Sequence, residues 1–224
     1  LPPIEAASPV DAPERRLARA LADELVSLGF HEAINFSFVD EAANKLAGLG
    51  DDGKVVAVRN PLSRDQAVMR RSMIPSLLAN VRTNLNQGVE AIRLFEIGRT
   101  YAWRTPTPEA DADPRSPVSP ALEQNVLAAV LAGGTQADWR SAWRAYDFFD
   151  IKGVAQAIID RLGLTRVVVE PLRDHAMLHP GRAAALIKGG QRLCVFGELH
   201  PAIAKELDFR PRVLVLEMPL NAEL

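Results

Sequence analysis

Apolar residues recur along the chain at two alternating periods, and the switches between them mark out most of the elements. Asp11-Ala12-Pro13-Glu14 has the features of a helix start. Asp11 offers a capping oxygen, an acid follows three residues on, and the proline falls in the first turn, where its missing N–H is harmless. Leu17, Leu21, Leu25 and Leu28 then fall at steps of four, four and three, the spacing of one helical face. Gly29 can take the left-handed conformation that closes a helix. From 31 to 39 the period becomes two: Ile34, Phe36 and Phe38 alternate with Ala33, Asn35 and Ser37, which predicts a half-buried strand. A short helix over 41–47 and a strand over 54–59, broken by Asn60-Pro61, come next. A helix beginning at Ser72 carries Ile74, Leu77, Leu78, Val81 and Leu85 on one face, and a strand over 92–101 follows.

The second half reads as strands in close succession. Residues 125–131 form an apolar run ending at Gly133-Gly134, and Asp150 is positioned to cap a helix bearing Ile151, Val154, Ile158 and Leu162. Strands are expected over 166–170, 183–188, 192–198 and 213–217, with Gly189-Gly190 as a hairpin turn and a short helix over 201–207. Strands grouped in this way, with the long helices between groups, predict an α+β fold: an antiparallel β-sheet flanked by helices, not a parallel doubly wound one. Residues 1–10, opening Leu1-Pro2-Pro3, read as an extended linker from an upstream region, and the chain as an excised internal module. Residues 11–224 form one domain. Within it, 105–120 holds five of the 16 prolines and few large apolar residues, so a mobile surface loop is expected there.

Composition narrows the function without naming it. With 224 residues and 48% apolar content the chain can bury a substantial core. A net charge of −2 argues against a dominant grip on a phosphate backbone. No apolar run approaches the ~20 residues of a membrane span, so no membrane contact is expected. The single Cys194, in Leu193-Cys194-Val195-Phe196, reads as a buried small hydrophobe in a reducing, cytoplasmic compartment.

The richest motif is Arg93-Leu94-Phe95-Glu96-Ile97-Gly98-Arg99-Thr100-Tyr101-Ala102-Trp103. It is accompanied by Asn60-Pro61-Leu62-Ser63, Met69-Arg70-Arg71-Ser72, Pro75-Ser76-Leu77-Leu78, Asn84-Leu85-Asn86, Phe149-Asp150-Ile151-Lys152-Gly153, His179-Pro180-Gly181-Arg182 and Phe196-Gly197-Glu198-Leu199-His200-Pro201. Each piece is short. The ordered set resembles the β subunit of bacterial phenylalanyl-tRNA synthetase, and within it the catalytic-like module, which has a class II aminoacyl-tRNA synthetase fold and does no chemistry.

The resemblance implies specific departures from a working synthetase. In class II enzymes an Arg after the motif 2 Phe/Tyr clamps the α-phosphate of ATP; here that position is Ala102. Motif 3 supplies a Gly-rich strand and a second Arg, yet 213–224 holds neither Gly nor Arg, and Glu217 would repel phosphate. Arg suits this work because its planar fork bonds two oxygens at once. Losing one such donor typically costs ~10²–10³ in rate. The implied assignment is therefore no catalytic, cofactor-binding or metal-binding residue in the module. ATP and Mg²⁺ belong to the holoenzyme, an (αβ)₂ heterotetramer that attaches phenylalanine to its tRNA. The implied role is assembly with, and support of, the catalytic α subunit. Its seam would be helix 11–28 and strand 31–38, through Leu17, Leu21, Leu25, Leu28, Phe30, Ile34, Phe36 and Phe38. Alternatives are a degenerate nucleotide or amino-acid site and a tRNA-contacting module.

Other residues invite chemistry and have plainer readings. His175 and His179 have a metal-compatible spacing, but His179-Pro180-Gly181 breaks helices, so loop histidines are expected; His200 reads as a strand-ending hydrogen bond. Asp150 is expected to cap its helix and Asp147 to be solvated. Trp139, Trp143 and Tyr146 are helically spaced and read as core or interface, with Arg140 and Arg144 leaving RNA stacking as a lesser alternative. Of Arg70 and Arg71, one is expected to pack against the following helix and pair with an acid.

Overall fold

The computed structural model describes residues 12–50, 52–104, 121–136, 139 and 141–220. The 1–10 linker, the Asp11 cap, the 105–120 loop, Arg140 and residues 221–224 lie outside them.

A seven-stranded sheet with helices on both faces organises the chain. The first helix, α1, runs Pro13–Ser27 with Pro13 in its first turn, and no side chain caps it at Ala12. Gly29 closes it at φ +79°. Two short strands follow, β1 (His31–Glu32) and β2 (Phe38–Val39), then α2 (Glu41–Leu46), whose cap is Asp40 accepting from the Ala43 amide at 2.8 Å. After β3 (Val68–Met69) come α3 (Ile74–Asn86) and the long strands β4 (Ala91–Trp103) and β5 (Ala121–Gly133). Helix α4 (Phe148–Arg161) precedes β6 (Val168–Pro171), β7 (Leu178–Lys188) and β8 (Gln191–Leu199). Helix α5 (Pro201–Glu206) and β9 (Val213–Pro219) complete the order.

The sheet order is β1-β4-β5-β9-β8-β7-β6. Every pairing is antiparallel except that of edge strand β1, which lies parallel to β4. Separate β2–β3 pairing forms a small second sheet. The run Val126–Ala132 is apolar at every position because β5 is covered on both sides. Leu127, Ala129 and Leu131 face a core built with α1 and α4; Val126, Ala128, Val130 and Ala132 face one built with α3 and α5.

Several expectations need correction. The strand expected over 31–39 is interrupted: 33–37 has no regular pairing, and Ile34 and Phe36 face outward. Residues 54–59 contribute only an isolated bridge, Ala57 to Val68. Asp147, not Asp150, caps α4: it accepts from the Phe149 amide at 2.8 Å, while Asp150 accepts a return bond from the Asp147 amide at 2.8 Å. Trp143 and Tyr146 lie in an irregular stretch before α4, not on a helix. His179 lies in β7, not a loop, and its Nδ1 accepts from the Gly181 amide. His200 caps α5 by accepting from the Ala202 amide at 3.2 Å.

Candidate functional site

Two regions gather the residues singled out above, and a buried arginine joins them. On the α3 face of the sheet, Glu96, Ala128 and Glu217 lie side by side on β4, β5 and β9. Arg70, delivered by the end of β3, lies over this row. Its Nη1 donates to Glu96 Oε1 at 2.8 Å and its Nε to the Arg99 carbonyl at 2.9 Å, with both side chains of the ion pair almost wholly buried. Gly98 makes the room: a Cβ there would stand 2.5 Å from Arg70 Nη2. Glu217 accepts from the Met73 amide at 2.8 Å and the Ser72 hydroxyl at 3.0 Å, and burial pushes its carboxyl above the ordinary range. The expected phosphate-repelling acid is thus tied to the start of α3.

Beside this row the sheet opens into a cleft. A cavity of about 490 Å³ is lined by Arg71, Thr100, Tyr101 and Ala102, among others, and a second of about 160 Å³ shares Arg71, Thr100 and Gln124 with it and reaches Glu217. Arg71 donates to the Leu49 carbonyl and, through Nη2, to Asp52 at 2.8 Å, while its buried Nε has no partner among the described residues. Both arginines of the pair therefore hold acids, where one was expected to. Ala102 presents only a methyl group to the larger cavity. A larger cavity, about 710 Å³, lies elsewhere beside Arg93, Thr135 and Arg144. Arg93 there donates to the Leu28 carbonyl and the Tyr146 hydroxyl, and Arg144 holds Asp150. Among the described residues, no group of three or more His, Cys, Asp or Glu could hold a metal ion, and no helix is long and apolar enough to cross a membrane. Cys194 is buried, and burial raises its thiol pKa far above the ordinary value.

The second region is the outward-facing loop between β1 and β2. Ile34 is 91% exposed, Phe36 74% and Phe38 44%. Phe38 also borders a groove of about 370 Å³ with Leu46, Leu78, Leu207 and Phe209. The α1 half of the expected seam does not join this surface. Leu21, Leu25 and Phe30 are buried in the chain's own core, and Leu17 and Leu28 pack against it. Leu21, Leu25 and Phe30 are thus covered by α4 and the sheet, while Leu17 and Leu28 stay partly exposed. What the periodicity could not indicate was Asn35, which fastens the loop to Glu96 from 61 residues away.

Residues 1–220 match the family described as the phenylalanyl tRNA synthetase beta chain CLM domain. The chain is 33% identical to the phenylalanine–tRNA ligase beta subunit of Syntrophus aciditrophicus over 98% of its own length and 27% of that protein's. It is 36% identical to that of Novosphingobium aromaticivorans over 96% and 25%. The chain thus spans about a quarter of these relatives. In fold it is similar to PylSc, a pyrrolysyl tRNA synthetase of Desulfitobacterium hafniense, with a TM-score of 0.68 at 14% identity, covering 92% of this chain and 64% of that one. The chain belongs to the phenylalanyl tRNA synthetase beta chain CLM domain family, and its fold is that of a class II synthetase core.

Proposed function

We propose that this member of the family is the non-catalytic module of a phenylalanine–tRNA ligase β subunit and that it serves assembly with, and support of, the catalytic α subunit. The holoenzyme would be an (αβ)₂ heterotetramer in the cytoplasm that uses ATP and Mg²⁺ to attach phenylalanine to its tRNA. The observation that carries this reading is the charge of the old cleft. Adenylate formation needs donors aimed at phosphate, whereas here the position that corresponds to the first clamp is Ala102, which lines the cleft with a methyl group, and the stretch 213–224 that corresponds to motif 3 holds neither Gly nor Arg. A scaffold without phosphate clamps can still act through its surface, and the Ile34–Phe36–Phe38 loop supplies an apolar one. Apolar anchors of this size are what a stable subunit contact buries.

The test is co-purification of the α subunit with a β subunit carrying Ile34→Asp and Phe36→Asp, alongside an adenylation assay on the module alone. Loss of assembly together with an inactive module is the expected result. Intact assembly, or ATP-dependent activation of phenylalanine by the module alone, would overturn the reading. The cleft volume favours a second reading, a degenerate small-ligand site, which predicts that ATP or phenylalanine raises the module's Tm.

A further inference from the structure

We infer that Asn35 and Glu96 are positioning residues for the partner-binding loop: the buried Arg70–Glu96 pair is a bracket that holds residues 33–37 extended, so that Ile34 and Phe36 stand ready for the α subunit. The inference rests on the assembly role proposed above and adds which interior groups enforce it.

Exposed apolar side chains on an irregular loop should fold back onto the nearest apolar surface. Four bonds oppose that collapse. The Ala33 amide donates to the Phe95 carbonyl at 2.7 Å, and the Asn35 amide to Glu96 Oε1 at 3.3 Å. Asn35 Nδ2 donates to Glu96 Oε2 at 2.7 Å, and the Arg70 amide donates to the Ser37 carbonyl at 2.9 Å. Residues 33, 35 and 37 are thus tied inward. In extended backbone successive side chains alternate sides, so 34 and 36 must point out. The sequence pattern of period two is real, but its polar half faces the protein and its apolar half faces away.

Glu96 can serve as the anchor because Arg70 balances its charge and is itself held by the Arg99 carbonyl, in the space left by Gly98. Both Asn35 bonds end on an ionised acceptor, the stronger class of hydrogen bond. The loop's ordering cost is met in the free subunit, and that is how preorganisation raises affinity. Phe38 extends the presented surface to the groove with Leu46, Leu78, Leu207 and Phe209. The occupant is the α subunit of the assembly proposed above, the partner implied by similarity to ligase beta subunits, and Ile34, Phe36 and Phe38 are the exposed apolar side chains this loop offers it.

The experiment uses the full-length β subunit and measures the Kd for the α subunit, amide exchange over 33–37 and Tm, for Asn35→Ala and Ile34→Asp. Asn35 lies outside the buried ion pair, so its alanine variant should fold with little change in Tm. It should weaken assembly about tenfold, the size expected when two anchors must be ordered on binding, and speed exchange at 34–37 while leaving α3 protected. If Ile34→Asp abolishes assembly but Asn35→Ala binds like the parent, or shows unchanged exchange in the loop, the positioning role fails. If Ile34→Asp itself binds like the parent, the seam reading fails instead. A second variant, Asn35→Asp, sets a carboxylate against Glu96 and should weaken assembly further than alanine does.

Discussion

The Ser72 hydroxyl donates to Glu217 at 3.0 Å, joining the start of α3 to the last strand of the sheet across 145 residues. With the Met73 amide on the same carboxyl at 2.8 Å, it places an acceptor at the positive end of a 13-residue helix. The cleft wall that would need to attract a triphosphate instead has its polar groups satisfied by an acid. This contact is built from β9 and α3 and joins two elements of the sheet's α3 face.

Glu217 should give the chain an unusual pH dependence. Burial outweighs its hydrogen bonds and raises its folded pKa, so between the unfolded and folded values the folded state holds the extra proton. Stability from this group is greatest below its unfolded pKa and is lost as pH rises through that window. Glu217→Gln removes the slope and can still accept from the Met73 amide. Calorimetry should show the Tm of the variant gaining on the parent as pH rises above the ordinary glutamate value of about 4.3. A gap that shrinks over that rise would contradict the assignment.

The α4 cap has the opposite sign. Hydrogen bonds from Arg144, at 2.8 and 2.6 Å, hold the Asp150 carboxyl below the usual range. Its contribution is present above the unfolded pKa and is lost as pH falls through the folded one. Arg144→Ala should therefore flatten the acid limb of the stability curve below about pH 4. Asp147→Ala, which removes the cap itself, should cost ~1 kcal/mol. In a domain of this size that is a fall of about 2–4 °C in Tm, measurable by thermal melting.

How far the sequence was legible differs from element to element. The α1 stripe and its Gly29 stop are local signals, and the helix they predict, with one covered face, is the helix that forms. Periodicity says that a face is covered and not what covers it, which is why Leu21 and Leu25 could be taken for a subunit seam when α4 and the sheet cover them. The loop over 33–37 failed for a different reason. Alternation tells two sides apart without saying which side is inward, and the deciding acceptor, Glu96, lies 61 residues away. Asp147 and Asp150 form a capping box in which an Asp takes the place usually held by Glu or Gln, so the local pattern points to a cap three residues late. The cleft was legible in part. Ala102 and Glu217 could be picked out from motif comparison, but the satisfaction of Glu217 by Ser72 and Met73 needed the fold.

Two apolar residues close in sequence should respond in opposite ways to truncation. Leu25 is fully buried, so Leu25→Ala leaves a cavity and should cost ~2–5 kcal/mol of stability by denaturant unfolding. Ile34 is 91% exposed, so Ile34→Ala should change stability by no more than about 0.5 kcal/mol. Its effect should appear in α-subunit affinity. A large stability loss at Ile34 would mean that the loop packs inward in solution.

Restoring one clamp should not restore nucleotide binding. Ala102→Arg would send a guanidinium into the cavity of about 490 Å³ beside Arg71, the place from which it could meet a phosphate. The partner clamp on β9 is still missing, since 213–219 holds no Arg. A phosphate drawn in by the introduced guanidinium would instead meet the Glu123 carboxylate, which lines the same cavity and opposes what the new donor gains. The expected result is no Tm shift on adding ATP with Mg²⁺ to the variant. A site filled at ~100 times its dissociation constant would contribute ~2.7 kcal/mol, or roughly 5–10 °C here. A rise of that size would show that one lost guanidinium, and not the charge of the whole cleft, had silenced it.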